Sequence, residues 1–273
     1  MTPDDARTAV LDDIDARPGS TASLLRTVVG LYLRPLDGWI TAAALVALAG
    51  DLGIPTAQAR TGITRLKQKG LLLAERAGAI GYRLNPAAVP MLERGDRRIF
   101  EMREMTDDDP WCLVSFSIPE SDRSVRHQLR RRLQWIGAGV VSPALWICPG
   151  HLRDEAVQIL DELDARRWAT LFTATAPAPA GTPAEAAAQW WDLAALRAEH
   201  VSFQASLDTL PTGPFAAYVH LIDRWRVLPY TDPGLPPSML PADWPGRQSF
   251  DAFARLSAEL AGPALAHVRA VAS

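Results

Sequence analysis

Between Thr56 and Lys69 the chain places four cations, Arg60, Arg65, Lys67 and Lys69, among the short polar side chains Thr56, Gln58, Thr61, Thr64 and Gln68. Ala59, Ile63 and Leu66 fall at helical spacing and form one apolar stripe. Thr61, Thr64, Arg65 and Gln68 then project opposite that stripe, with Arg60 and Lys67 flanking them and Lys69 near the C-terminal end. Flanking guanidinium and ammonium groups suit phosphates, and the polar groups between them suit base edges. The spacing predicts a helix suited to a DNA major groove; the alternative is a charged face that meets only water.

The neighbouring elements fit the first reading. Gly70 ends the helix, and Leu71 to Arg76 and Ile80 to Leu84 are strand candidates around the turn Ala77-Gly78-Ala79. Arg76 and Arg83 on this hairpin suit a phosphate clamp. Upstream, Leu24, Leu25, Val28 and Val29 mark one amphipathic helix, and Ala44, Leu45, Ala47, Leu48 and Leu52 a second. Helix, helix, helix, hairpin predicts a winged helix-turn-helix. Arg26 to Arg103 holds twelve basic and six acidic residues, although the whole chain carries a formal charge of -3. The positive charge is local, as a DNA footprint requires.

A chain of 273 residues, 48% of them hydrophobic, predicts two or three domains and excludes general disorder. Apolar runs such as Thr41 to Ala49 are too short to span a bilayer, and no basic stretch precedes an apolar leader. The expectation is a cytoplasmic protein without a membrane partner. Cys112 and Cys148, the two cysteines, sit in apolar strand candidates and read as reduced core thiols. Residues 1–19 read as an acidic arm, with Asp4, Asp5, Asp12, Asp13 and Asp15 against Arg7 and Arg17.

Two breaks divide the remainder. Glu104 to Pro110 carries three successive aspartates before a proline, and Ala174 to Ala184 is rich in Ala, Pro, Thr and Gly. The expected domains are 20–104 for the winged helix, 110–176 for a middle unit and 183–273 for a helical unit, an α+β chain. In the middle unit, strands at Trp111–Ile118, Val140–Val141, Ala144–Cys148 and Trp168–Thr173 alternate with helices at Ser121–Ile136 and His151–Arg166. That order predicts a ferredoxin-like dimerisation domain. The last unit is expected to run as one helix from Pro183 to about Leu207, a second from Pro214 to about Leu228, a proline-dense loop and a helix from Phe250 to Val271.

No phosphate-binding glycine loop, His-Glu-x-x-His site or Gly-x-Ser-x-Gly elbow occurs, and the five histidines have no ligand spacing. Catalysis, a metal and a cofactor are therefore not expected. The middle helix carries Arg123, Arg126, Arg130, Arg131 and Arg132 on its polar face. These suit the phosphates of a CoA ligand, DNA outside the winged helix, acids of a second protomer, or water. Trp190, Trp191, Trp225 and Trp244 suit either an aryl pocket or a core. An effector site drawn from Arg123, Arg126, Arg130, Trp190, Trp191 and Arg224 is the corresponding expectation. An enzyme acting on CoA thioesters or nucleic acid through the middle domain, and a protein–protein adaptor, are the competing readings.

Several motifs resemble the PaaX family of transcriptional repressors: Leu25-Arg26-Thr27 with Gly30-Leu31-Tyr32, Arg60-Thr61 with Thr64-Arg65-Leu66, and Gly95-Asp96-Arg97-Arg98-Ile99-Phe100. Ser117-Ile118-Pro119-Glu120, Arg130-Arg131-Arg132-Leu133 and Trp135-Ile136-Gly137 extend the likeness. So do Asp232-Pro233-Gly234-Leu235-Pro236 and Leu240-Pro241-Ala242-Asp243-Trp244-Pro245-Gly246, and the match spans nearly the whole chain. The resemblance implies a homodimeric repressor of a catabolic operon that binds an inverted-repeat operator in double-stranded DNA. It also implies release by a small-molecule effector, an aryl-CoA thioester such as phenylacetyl-CoA. Two departures stand out. Pro55 replaces the family's usual Ser cap, so the cap either shifts to Thr56 or is lost; Gly62 replaces a better helix former and weakens the helix unless packing against the preceding helix requires it. The middle unit also resembles small CRISPR-associated endoribonucleases, but Ser117 stands where those enzymes place a metal-binding Asp.

Overall fold

A computed structural model describes residues 17–101, 103–175 and 177–273. Most of the acidic arm, residues 1–16, lies outside the described residues. The fold is mixed α/β with two antiparallel sheets, and contacts divide it into two units. The first holds the described residues up to Glu101 together with Phe203–Val227 and Ser249–Ser273. The second holds the described residues of Met102–Ser202 together with Leu228–Gln248.

In the first unit, Ser20 caps α1 (Thr21–Tyr32) by accepting from the Ser23 amide at 3.3 Å, and Thr41 caps α2 (Ala42–Asp51) by accepting from Ala44 at 3.0 Å. A short turn leads to α3 (Thr56–Gln68), whose buried residues are Ala59, Gly62, Ile63 and Leu66. The expected apolar stripe is thus present, with Gly62 added to it. A Cβ at Gly62 would come closer than 3.0 Å to Leu25 Cδ1 on α1. Close packing does explain this glycine, but the partner is the first helix and not the preceding one. Lys69 is the C-cap and Gly70 takes φ 76°, so the Gly70 amide bonds Lys67 O at 3.0 Å and the Leu71 amide bonds Leu66 O at 3.0 Å. These two bonds close the helix by a Schellman motif and aim the chain into the hairpin.

The hairpin is β2 (Leu72–Ala77) and β3 (Ala79–Leu84), turning at Gly78. A third strand, β1 (Trp39–Thr41), pairs with β3, giving the order β1-β3-β2. Three residues are too few to show alternation, so the sequence pattern did not reveal β1. After α4 (Val89–Phe100) the unit resumes near the C-terminus, with the end of α8 (Leu193–Leu207), α9 (Pro214–Trp225) and most of α11 (Gly246–Ala272). Trp225 stacks on Phe253 with centroids 4.6 Å apart and donates its indole N–H to Ile99 O at 2.9 Å.

The second unit contains β4 (Trp111–Phe116), α5 (Arg123–Trp135), β5 (Gly139–Ser142), β6 (Leu145–Pro149), α6 (Arg153–Glu162) and β7 (Ala169–Ala174). Every strand pairing is antiparallel and the order is β5-β6-β4-β7. Strand alternation gives the sheet two faces. Cys112, Val114 and Phe116 share a core with Leu129, Leu133, Ala156 and Leu160, whereas Trp111 and Ile147 share another with Ala187, Trp191, Leu235 and Met239. Cys112 and Cys148 are register partners, buried and not joined in a disulfide. Arg132 does not join the solvent face expected of it. It is buried against Glu162 of α6, with Nη1 to Oε2 at 2.9 Å.

The single helix expected from Pro183 to Leu207 is two: α7 (Pro183–Trp190) and α8. Trp191 is extended at φ -124° and ψ 148°, and its indole donates to Gly137 O at 2.9 Å. Asp192 then accepts from the Ala195 amide at 2.9 Å and starts the second helix. A buried tryptophan with its own hydrogen bond therefore overrides helical continuity. The four-residue α10 (Leu228–Thr231) precedes the proline-dense loop. Among the described residues no helix is long and apolar enough to cross a membrane.

The Gly62 contact yields a stability prediction, because Leu25 is fully buried and has little room to swing aside. Alanine would gain about 1 kcal/mol of helix propensity, but forcing a methyl group into Leu25 costs about 1–3 kcal/mol. Gly62→Ala should lower the urea midpoint with an unchanged denaturant slope; a raised midpoint would show that α1 and α3 are not in tight contact.

Candidate nucleic-acid interface

On α3 the residues opposite the buried stripe all reach solvent. Thr56, Gln58, Arg60, Thr61, Thr64, Arg65, Lys67 and Gln68 are exposed, and Lys69 is half-buried. Arg60, Arg65 and Lys67 have no carboxylate partner among the described residues. The Thr61 hydroxyl donates to Ala57 O at 3.0 Å and the Thr64 hydroxyl to Arg60 O at 2.9 Å. Their protons are thereby committed to the helix, and what they offer outward is an acceptor and a methyl group. Arg65 and Gln68 keep their donors available.

The start of α3 is settled by geometry. Pro55 occupies the N-cap with φ -58° and ψ 142° and makes no side-chain cap bond, while its carbonyl accepts from Ala59 at 2.9 Å. The side-chain cap is lost and does not shift to Thr56, at a cost of about 1 kcal/mol. The first-turn amides consequently remain open for another acceptor.

The two hairpin arginines differ. Arg76 is exposed and pairs across the strands with Ile80, also exposed near the turn. Arg83 is held by Glu75, Nε and Nη2 both meeting the carboxylate, the latter at 2.9 Å, and Nη1 reaches Asp37 O at 3.4 Å. These bonds to Arg83 hold the Glu75 carboxyl below its ordinary range. The strand register explains the pair: Glu75 and Arg83 stand two positions apart on one face of the hairpin. Glu75 is the residue that cation counting missed, and hairpin alternation was the signal for it.

The effector candidates are not gathered at one place. Arg123 is exposed on α5, without a carboxylate partner among the described residues. Arg126 meets Glu120 Oε2 at 2.6 Å and Ile118 O at 3.2 Å, and Arg130 donates to Pro143 O at 2.7 Å. Trp190 is half-buried beside Trp191, centroids 6.0 Å apart, and Trp191 is sealed against Trp111. Arg224 belongs to the other unit, where it donates to Ser206 O at 2.6 Å and closes the C-terminal end of α8. Trp225 is likewise core in that unit, whereas Trp244 packs edge-on to His200 in the second. Ser117 follows β4 and its amide bonds Trp168 O at 2.9 Å. Among the described residues no three His, Cys, Asp or Glu side chains converge to hold a metal ion.

Three family models match in chain order. A PaaX-like protein model covers residues 20–88, the PaaX protein central Cas2-like domain covers 104–187, and the PaaX-like protein C-terminal domain covers 184–270. The Transcriptional repressor PaaX of Escherichia coli strain K12 is 26% identical over 271 residues, spanning 93% of this chain and 85% of the relative. An uncharacterised Mycobacterium tuberculosis protein of known structure superposes with a TM-score of 0.58 at 24% identity, covering 88% of this chain and 97% of its own, which establishes a shared fold.

The Glu75–Arg83 pair makes the hairpin sensitive to acid. A carboxyl whose folded-state value is depressed stabilises fully above its unfolded value, near 4.5, and loses that contribution as pH falls through the folded value. Urea midpoints of wild type and Glu75→Gln should therefore differ at neutral pH and converge as acid protonates Glu75. A gap that stays constant with pH would contradict the pairing.

Proposed function

The chain belongs to the PaaX family, and from that premise we propose that it is a transcriptional regulator that binds double-stranded DNA through the exposed face of α3. One observation carries the reading: a helix buried along one stripe presents Arg60, Arg65 and Lys67 outward, with no carboxylate to neutralise them among the described residues. A solvated helix face usually mixes signs, with acids three or four residues from the bases. This face holds no acid at all.

In this reading α1, α2, α3 and the β2–β3 hairpin form a winged helix-turn-helix. The α3 helix enters the major groove, Arg65 and Gln68 address base edges, and Arg60, Lys67 and Lys69 meet phosphates. Thr61 and Thr64 offer their methyl groups to thymine and their oxygens to a base amino group. The open amides at Thr56 to Gln58 suit a phosphate on the adjacent backbone. Arg76 at the hairpin tip adds a further backbone contact, whereas Arg83 serves the hairpin through Glu75 and reaches phosphate only on leaving it.

The second unit's βαββαβ order, with strands arranged β5-β6-β4-β7, supports a ferredoxin-like reading of residues 110–176. We assign it to dimerisation, so that two α3 helices address the half-sites of an inverted repeat. Repression would end when a small-molecule effector binds the DNA-incompetent arrangement more tightly, by an amount equal to its differential affinity. An aryl-CoA is the effector class that the resemblance implies; of its candidates, Arg123 on α5 and the half-buried Trp190 are accessible to a ligand, whereas Arg126 and Arg130 are engaged within the unit and Trp191 is buried. Catalysis has no part in this proposal, since Ser117 stands where a hard-metal site of this domain type would need a carboxylate.

A duplex selected by the wild-type chain from a randomised pool tests the assignment. Arg65→Ala should weaken its binding by about 1–3 kcal/mol, roughly 5- to 150-fold, if Arg65 addresses a base. Lys67→Ala should weaken all duplexes alike and reduce the slope of log K against log salt by about one. Fluorescence anisotropy at several salt concentrations reads both effects; wild-type affinity in Arg65→Ala removes α3 from the interface.

A further inference from the structure

We infer that Asp223, on the C-terminal helix α9, is a positioning residue for duplex recognition and that residues 203–227 are a working part of the DNA-binding unit. This inference rests on the reading of α3 as the duplex-binding helix. Asp223 is 0% exposed. Its Oδ1 accepts from the Ser23 hydroxyl, from Thr27 Oγ1 at 3.1 Å and from Arg226 Nε at 3.3 Å, and its Oδ2 accepts from the Gly19 amide at 2.7 Å. Arg226, 9% exposed, also donates from Nη2 to Ser23 Oγ at 2.7 Å. A carboxylate and a guanidinium some two hundred residues from α1 in sequence thus enclose its first two turns.

The geometry then continues to α3. Ser23 and Thr27 lie one turn apart on one side of α1, and Thr21 and Leu25 lie on the opposite side. Leu25 packs into the Gly62 notch of α3, and the Thr21 hydroxyl reaches Gln58 Oε1 at 3.4 Å. Helix α1 is therefore a plate with α9 on one side and α3 on the other. Apolar contact tolerates small slides between helices, but a buried carboxylate that accepts four hydrogen bonds tolerates one arrangement, because any slide leaves a charge unpaired. A buried ion pair adds little net stability compared with leucine or valine in the same space, so its effect is to fix the register of α1, and through α1 the pose of α3.

The test compares wild type, Asp223→Asn and the milder Thr27→Ala at a temperature where circular dichroism shows each fully folded. The probes are the duplex that wild type selects from a randomised pool and an unselected duplex of equal length. Asp223→Asn should lose about tenfold or more of the preference for the selected duplex, with binding to the unselected duplex at low salt kept within about twofold. Thr27→Ala should fall between. Both variants folded with the wild-type preference, or losing selected and unselected binding in parallel, would overturn the inference. If Asp223→Asn does not fold, Thr27→Ala decides by the same readout. A wild-type chain that selects no duplex at all refutes the DNA-binding reading itself, a result visible before any variant is measured.

Discussion

Everything proposed for α3 depends on how closely it lies on α1. Gly62 has no Cβ, so Leu25 can sit where a side chain would otherwise stand. The four buried residues of α3 then face inward together, and its polar and cationic residues are turned outward together. Move the helix out by the width of a methyl group and the burial of Ile63 and Leu66 is weakened along with the set of the hairpin that follows Gly70. Helix propensity alone would favour alanine at this position. The packing constraint is the larger effect.

Charge is arranged by the same economy of position. The segment from Arg26 to Arg103 is rich in bases, but several are already engaged: Arg34 with Asp96 at 2.5 Å, and Arg83 with Glu75. What distinguishes α3 is not the number of cations but the lack of an acid within reach of Arg60, Arg65 and Lys67 among the described residues. Exposed cations paired on a protein surface contribute little to stability. Unpaired and aligned on one helix face, they are available to a polyanion, and the chain's overall charge of -3 keeps that attraction local.

Much of this was legible in the sequence because it rests on short periodicities. The stripe of Ala59, Ile63 and Leu66, the hairpin around Gly78 and the alternating strands and helices of the second unit repeat within a few residues. What escaped depends on partners distant in the chain. Arg132 read as one more solvent-facing arginine because Glu162 is thirty residues away. The break at Trp191 follows from a bond to Gly137, and within Pro183 to Leu207 its one local sign is Asp192, a residue suited to cap a new helix. The C-terminal helices read as a bundle of their own, yet Asp223 makes its bonds to α1 and Trp225 to α4. Glu75 stands between these cases, since the hairpin register that pairs it with Arg83 could have been counted.

The most direct test of the central claim is hydroxyl-radical footprinting of side chains in the free chain and in its complex with the selected duplex. The account predicts protection at Arg60 to Gln68 and at the hairpin tip around Arg76 and Ile80, with α5 unchanged. Protection on α5 at Arg123 to Arg131, with α3 as reactive as in the free protein, would contradict it.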